Sequence, residues 1–122
     1  MNKIQIGKQE VIHFIGIGGI GMSGLAQIMK TMGFNVQGSD ISENKNTDNC
    51  KKLGINILKG HSKKNILKAT IIVKSSAIKK NNIELTYSKK RKIPSYDRIE
   101  MLANIINLKK NIIITGSHGK TT

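Results

Sequence analysis

The strongest constraint on this chain lies in residues 11–26, VIHFIGIGGIGMSGLA, where an apolar run leads directly into closely spaced glycines. The run VIHFI at residues 11–15 is typical of a strand buried on both faces of a parallel sheet. Apolar residues at helical spacing then continue as far as Gly33, which predicts a helix that ends there. Strand, glycine loop and helix in this order are typical of a dinucleotide-binding loop, whose glycines here are Gly16, Gly18, Gly19 and Gly21.

The glycine loop is expected to hold a phosphate group against the start of the helix. Gly16 would permit the tight turn, Gly18 would let a phosphate approach the backbone, and Gly21 would let helix and strand pack closely. Free N–H groups and the helix dipole would then face the anion. The alternative is that these glycines serve close packing alone.

Short apolar segments and helical segments alternate along the rest of the chain, with connections of a few residues. This alternation predicts an α/β fold, a Rossmann-like, doubly wound and mostly parallel sheet with helices on both faces. The last predicted helix, residues 97–108, is expected to bury Ile99, Leu102, Ile105 and Ile106. The predicted strands are residues 34–40, 55–58, 70–73, a short extended edge at 93–94, and 111–114; residues 42–49 are predicted to be a polar loop.

Polar residues at the ends of predicted strands suggest where a ligand binds. Asp40 lies 19 residues beyond Gly21, close to the ~20 expected of an acid that contacts a ribose. Its alternative role is to cap a helix or turn. Ser75 and Ser76 follow the strand at residues 70–73, at the end where open α/β sheets bind ligands.

A second phosphate-binding signal follows the predicted strand at residues 111–114. The segment TGSHGKTT, residues 115–122, has a glycine-rich turn followed by Gly-Lys-Thr. In such loops the amides cradle phosphates, the lysine reaches the outer phosphates and the hydroxyl binds Mg²⁺. Only two residues separate Gly116 from Gly119, whereas the general motif has about four at that place.

The net charge of +14 invites a nucleic-acid function, but the kind of cation argues against specific binding. Lysine supplies 19 of the 21 basic residues, whereas base recognition depends on arginine, and aromatic residues make up only 3%. No apolar run approaches the ~20 residues of a membrane span, and no export leader is apparent. The single cysteine, Cys50, is consistent with a reducing cytoplasm.

The motifs taken together, in this order, resemble the N-terminal part of the Mur ligases. They are the glycine loop GIGGIGMSGLA, then GSD, SSAI, IP with RIEMLA, and finally TGSHGKTT. The resemblance covers residues 11–122, and the compact glycine–lysine–threonine loop is a variant that belongs to that family. It implies a UDP-sugar-binding domain at residues 1–108, followed at 109–122 by the first strand and phosphate loop of an ATP-binding central domain.

The resemblance implies that the first loop faces the pyrophosphate of UDP-N-acetylmuramate. The full enzyme would use ATP and Mg²⁺ to join L-alanine to that sugar acid, whereas this chain alone is expected to be inactive and to hold no cofactor tightly. The implied UDP-sugar-binding residues are Gly16, Gly18, Gly19, Gly21, Asp40, His61, Ser75, Ser76 and Arg98. The implied ATP-binding residues are Gly116, Ser117, His118, Gly119, Lys120, Thr121 and Thr122, with the Thr121 hydroxyl on Mg²⁺.

Two residues depart from the family pattern, and two other functions compete with it. Asp97 stands where the family usually has the first of two arginines, and Lys74 stands where a buried apolar residue is usual. A carboxylate at position 97 would repel an anionic substrate. The competing functions are an NAD(P)-dependent Rossmann protein and a basic, non-catalytic remnant of a broken ligase gene.

Overall fold

The computed structural model describes the backbone of residues 4–121 and the side chains of residues 4–110. Strands and helices alternate along this part of the chain, as the sequence predicts. The strands are β1 Val11–Ile15, β2 Asn35–Asp40, β3 Asn56–Lys59, β4 Ile71–Lys74 and β5 Ser95–Asp97. The helices are α1 Ile20–Thr31, α2 Lys45–Lys52, α3 Ile83–Lys90 and α4 Arg98–Thr121, with a 3₁₀ turn at Lys63–Ile66.

The sheet has the strand order β3-β2-β1-β4-β5, and every neighbouring pair is parallel. The chain therefore runs outward from β1 to β3 and then crosses back to β4 on the other side of β1. This order is that of a doubly wound Rossmann sheet, whose ligands bind where the strand order reverses. The predicted fold class is confirmed, and the reversal lies between β1 and β4, next to the glycine loop.

Helices cover both faces of the sheet, and each face has its own core. On one face α1, α2 and α4 contribute Met22, Leu25, Met29, Cys50, Met101 and Ile105 to a cluster around Phe14. On the other face the 3₁₀ turn and α3 contribute Ile66 and Leu85 to a smaller cluster around Ile15 and Ile72. Burial of β1 from both sides explains its nearly unbroken apolar run. No helix in the described part of the chain combines the length and apolar character needed to cross a membrane.

Two local predictions are wrong, each for an identifiable reason. Helix α2 begins at Lys45, inside the predicted polar loop, because Asn44 and Thr47 form a reciprocal capping box. Of the four residues predicted to be buried in α4, Ile105 is buried and Leu102 packs against the core, whereas Ile99 and Ile106 are 68% and 48% exposed. Met101 is buried instead, because it lies four residues before Ile105 on the same face of the helix.

The strand predicted at residues 111–114 is also absent, because α4 continues without interruption to Thr121. A strand is stable only when a neighbouring strand pairs with its backbone, and the five-stranded sheet already ends at β5. A helix satisfies its backbone hydrogen bonds internally, so it is the conformation open to a segment without a partner sheet. The domain boundary near residue 108 stays a prediction.

Candidate functional site

The glycine loop joins β1 to α1 at the carboxyl edge of the sheet and leaves the start of α1 uncapped. Gly16 has a φ of +80°, a conformation that favours glycine, which supports its expected role in the turn. The N–H groups of Gly16 and Ile17 donate to the Ser39 carbonyl at 2.8 and 3.0 Å, which ties the loop to β2. Gly19 is the N-cap residue of α1, but no side chain accepts a hydrogen bond from the first helix amides. The first turn of α1 also contains no acid. The first amides of α1 are therefore open to an anion.

Gly18 makes contacts within the protein that its sequence position did not predict. Its N–H donates to Asp40 Oδ2 at 2.8 Å, and a Cβ at this position would lie 2.8 Å from the same oxygen. The side-chain amides of Asn44 and Asn46 donate to the Gly18 carbonyl at 3.2 and 2.9 Å. Side chains of the protein fill the space that Gly18 leaves open, which favours the packing alternative for this glycine, and its contact with a phosphate stays a prediction. Asp40 acts here as a turn-stabilising acceptor, with Ser42 N at 3.4 Å from Oδ1.

Gly21 lies under the side chain of Arg98, which is the first residue of α4. A Cβ on Gly21 would lie 2.9 Å from the Arg98 guanidinium carbon, so the absent side chain makes room for this cation. The predicted reason for Gly21, close packing of helix against strand, stays a prediction beside this contact. The guanidinium is placed beside the uncapped start of α1, and both present positive potential to the same space.

A cavity of about 350 Å³ opens beside Arg98 at the ends of β4 and β5. Ser75 and Ser76 line it together with residues 97–100. Lys74 and Asp97, the last residues of β4 and β5, form an ion pair at 2.6 Å at its edge. Among the described residues Arg98 takes part in no ion pair, so its charge is available in this cavity.

His61 lies on the other side of the glycine loop and belongs to a buried polar cluster around Glu84. The members of this cluster, called here the Glu84 cluster, are His13, Gln37, Ser39, His61, Asn65 and Glu84. His13, Ser39 and Glu84 are fully buried, whereas the His61 side chain is 16% exposed. His61 Nδ1 lies 3.1 Å from Ser39 Oγ and 3.5 Å from Glu84 Oε2.

Glu84 is held as a carboxylate inside the protein. Burial by itself would raise the pKa of Glu84, but the hydrogen bond and electrostatic attraction of His13, together with hydrogen bonds from Ser39 and Asn65, lower that pKa from 4.5 to about 2. The Ser62 amide adds a further donor at 3.1 Å from Oε2. Within the described part of the chain, no buried side-chain polar atom lacks a hydrogen-bond partner, so the cluster is fully satisfied.

The structure brings the predicted first-site residues to one edge of the sheet, on both sides of the glycine loop. Asp40 and His61 lie on the β2–β3 side, and Ser75, Ser76 and Arg98 lie on the β4–β5 side. The side chains of the predicted ATP-site residues 116–122, including the predicted Mg²⁺ ligand Thr121, lie outside the described ones. Within the described residues no group of histidine, cysteine or acidic side chains could hold a metal ion.

Sequence reasoning missed Ser39, Glu84 and the two asparagines that hold Gly18. The only signal for Glu84 was a charged residue at the start of an amphipathic helix, which is usually exposed. Its partners come from distant parts of the chain, so spacing could not reveal them. The arrangement as a whole can bind an anion and hydrogen-bond a polar ligand.

Comparisons with known proteins agree with this geometry. The model of the Mur ligase family, catalytic domain, matches residues 11–110. The chain is 65% identical over 120 residues to a UDP-N-acetylmuramate–L-alanine ligase of Pelagibacter ubique, covering 98% of this chain and 26% of that protein. It is 56% identical over 110 residues to the enzyme of the same name from Aquifex aeolicus, covering 90% of this chain and 24% of that one.

A solved structure shares the fold as well as the sequence. The crystal structure of the UDP-N-acetylmuramate–alanine ligase from Thermotoga maritima superposes with a TM-score of 0.77 at 34% identity. The match covers 81% of this chain and 23% of that one. The chain therefore spans about a quarter of the length of the relatives it matches.

Proposed function

The chain belongs to the Mur ligase family, and from this premise we propose that it is the UDP-N-acetylmuramate-binding part of a ligase that adds L-alanine to that sugar acid in peptidoglycan synthesis. The relatives that carry this name match the chain at up to 65% identity, which supports the choice of substrate among related ligases. The nicotinamide-dependent alternative and the non-catalytic remnant are not favoured by these matches.

The observation that carries the proposal is the anion site between α1 and Arg98. The uncapped start of α1 and the Arg98 guanidinium converge from two elements on one space, beside a cavity of about 350 Å³. A pyrophosphate carries several negative oxygens that can accept from both helix amides and a guanidinium. The UDP pyrophosphate would lie there, with the Ser75 and Ser76 hydroxyls as further donors.

The β2–β3 side of the loop would then receive the nucleoside. Asp40 is the last residue of β2, and His61 follows β3. Both residues present polar atoms at the carboxyl edge of the sheet. The open edge of a doubly wound sheet lets one extended ligand cross the point where the strand order reverses. UDP-N-acetylmuramate is an extended ligand of this type, since it joins a base, a ribose, a pyrophosphate and a sugar.

The remaining chemistry would belong to the whole protein. ATP would transfer its terminal phosphoryl group to the substrate carboxylate, and the amine of L-alanine would attack the acyl phosphate, forming an amide and releasing inorganic phosphate. Gly116, Ser117, His118, Gly119, Lys120, Thr121 and Thr122 would contribute to holding ATP, with Mg²⁺ on the Thr121 hydroxyl. The buried, unpaired Cys50 is consistent with a cytoplasmic setting.

Calorimetric titration of the chain with UDP-N-acetylmuramate and, separately, with NADH tests the proposal. We expect the UDP sugar to bind more tightly and its heat signal to shrink on addition of inorganic pyrophosphate, which competes for the anion site. Tighter binding of NADH would overturn the ligase assignment. Phosphate release from ATP by the chain with both substrates, compared with Lys120→Ala, tests the expectation that this chain alone is inactive.

A further inference from the structure

The hydrogen-bond directions in the Glu84 cluster are fixed by the charge of Glu84. A carboxylate can only accept hydrogen bonds. Ser39 Oγ lies 2.6 Å from Glu84 Oε1, so the single hydroxyl proton of Ser39 is donated to Glu84. Ser39 therefore presents only lone pairs to its remaining neighbours.

The position of the proton on the His61 ring follows from this arrangement. Its Nδ1 lies 3.1 Å from Ser39 Oγ, an oxygen whose proton is already committed, and 3.5 Å from a carboxylate oxygen. Both neighbours can only accept, so Nδ1 carries a hydrogen and donates it. In the neutral ring the other nitrogen, Nε2, then has an unshared pair and acts as an acceptor.

In His13, the other histidine of the Glu84 cluster, both ring nitrogens form hydrogen bonds within the protein. Gln37 Nε2 lies 2.7 Å from the Asn65 carbonyl, which fixes the orientation of its amide, and 2.8 Å from His13 Nδ1. His13 Nδ1 is thus an acceptor, and His13 Nε2 donates to Glu84 Oε1 at 2.7 Å. Since His13 is fully buried, His61 is the histidine of this cluster whose ring reaches solvent.

His61 Nε2 is open to solvent and therefore available to a ligand. It forms no hydrogen bond with the described residues, and it is not among buried atoms without a partner, so it contacts solvent. His61 follows β3 at the carboxyl edge of the sheet. Its neighbour Ser39 also contacts the glycine loop, because the Ser39 carbonyl accepts hydrogen bonds from the Gly16 and Ile17 amides. A ligand along this edge would meet the open Nε2.

We infer that Ser39 and Glu84 are positioning residues that hold His61 with Nδ1 as donor and Nε2 as acceptor for a hydrogen-bond donor of the bound nucleoside. This inference rests on the proposed function. The donor is either the imide N–H of a uracil base or a ribose hydroxyl. Glu84 and Ser39 do not touch the ligand and act only through the imidazole of His61.

The tautomer is measurable without any ligand. In a long-range ¹H–¹⁵N spectrum of the chain at about pH 8, above the ordinary histidine pKa of ~6.5, His61 should show a protonated Nδ1 and an unprotonated Nε2. In Ser39→Ala and Glu84→Gln this pattern should shift toward a mixture of tautomers. A His61 protonated at Nε2 in the unsubstituted chain would overturn the inference.

A double-mutant cycle on UDP affinity separates positioning from general stability. Ser39→Ala should weaken UDP binding about tenfold, the worth of one net hydrogen bond, but should cost nothing further in a His61→Ala background. Ser88→Ala is the matched control, since Ser88 is fully buried and donates to the Leu85 carbonyl at 2.7 Å outside the cluster. Equal losses from Ser39→Ala in both backgrounds would show a merely structural role.

Three UDP analogues identify the donor. If the imide N–H is the partner, N3-methyl-UDP should bind weakly and equally to the unsubstituted chain and to Ser39→Ala. If a ribose hydroxyl is the partner, 2′-deoxy-UDP or 3′-deoxy-UDP should behave in this way. Full sensitivity of all three analogues to Ser39→Ala would overturn the assignment of Nε2 to the nucleoside. Failure of the unsubstituted chain to bind UDP would instead count against the proposed function, while the tautomer measurement would stand.

Discussion

Lys74 Nζ lies 2.6 Å from Asp97 Oδ1, and the two residues are register partners on the neighbouring strands β4 and β5. In the sequence they are two separate departures from the family pattern. The structure shows that they compensate each other, because a lysine on one strand faces an aspartate on the next. The Asp97 carboxylate beside Arg98 is therefore partly neutralised, and its repulsion of an anionic ligand is weakened.

Lys74→Met should lower affinity for UDP-N-acetylmuramate by two- to fivefold, because it frees the Asp97 charge beside the anion site. This range, about 0.4–1 kcal/mol, lies within the ~0.2–1 kcal/mol typical of exposed ion pairs, and Asp97 is 55% exposed. Asp97→Asn should raise affinity by a similar factor. Calorimetry at low salt and at about 0.5 M salt measures both effects, which should shrink as salt screens them. Equal losses from both variants would mean that the pair shapes the cavity and does not tune its charge.

The fold was largely predictable from sequence because its signals are local. The glycine loop follows a fully buried strand and precedes an amphipathic helix, so periodicity alone located β1 and α1 to within a few residues. The alternation of strands and helices predicted a doubly wound sheet, and the observed strand order is that of such a sheet. The segment at residues 111–114 resisted prediction, since its apolar composition fits either state and the outcome depends on whether a partner strand is present.

The site was predictable as a location but not as a set of interactions. Residues at strand ends must meet at one edge of a parallel sheet, which is why Asp40, His61 and Ser75 lie there. The reason for each loop glycine depended on side chains from distant segments, as with Arg98 over Gly21. Spacing along the chain carries no information about such contacts, so the neighbours of Gly18 and Gly21 could not be predicted from it.

Arg98→Ala should weaken UDP-N-acetylmuramate binding by about 10- to 100-fold. A hydrogen bond to a charged group contributes ~1.5–3 kcal/mol, and the guanidinium stands beside the open amides of α1. Arg91→Ala is the matched control, because Arg91 is the other arginine and donates to the Leu67 carbonyl away from the site. Titration of both variants at one salt concentration checks the prediction. An equal effect of the two substitutions would indicate that only the total charge matters.

Gly18→Ala should destabilise the chain by ~1–3 kcal/mol, the usual range for overpacking, because the new Cβ would lie 2.8 Å from Asp40 Oδ2. Gly24 in α1 provides a contrasting control, since a Cβ there would meet nothing within 4 Å. Gly24→Ala should stabilise by up to ~1 kcal/mol through helix propensity. Urea denaturation measures both changes. A Gly18→Ala protein as stable as the parent would mean that Asp40 moves aside freely.

The Glu84 cluster should make the free energy of unfolding depend on pH in the acidic range. The pKa of Glu84 is lowered from 4.5 to about 2 in the folded protein, so its carboxylate stabilises the fold above the unfolded pKa. That stability is lost as pH falls from about 4.5 through about 2, and a shift of this size corresponds to roughly 3 kcal/mol. His13 and His61 face the same carboxylate and are the titratable neighbours that could modify the profile.

Glu84→Gln should therefore be least stable relative to the parent above about pH 5, where its amide replaces a carboxylate surrounded by donors. The difference should close as pH approaches about 2, because the parent then also carries a neutral group at this position. Glu43→Gln is the control, since Glu43 forms an exposed pair with Lys51 that solvent screens. Urea denaturation of the three proteins between about pH 2 and about pH 7 gives the profiles. A gap between Glu84→Gln and the parent that stays constant with pH would show that folding does not lower the pKa of Glu84.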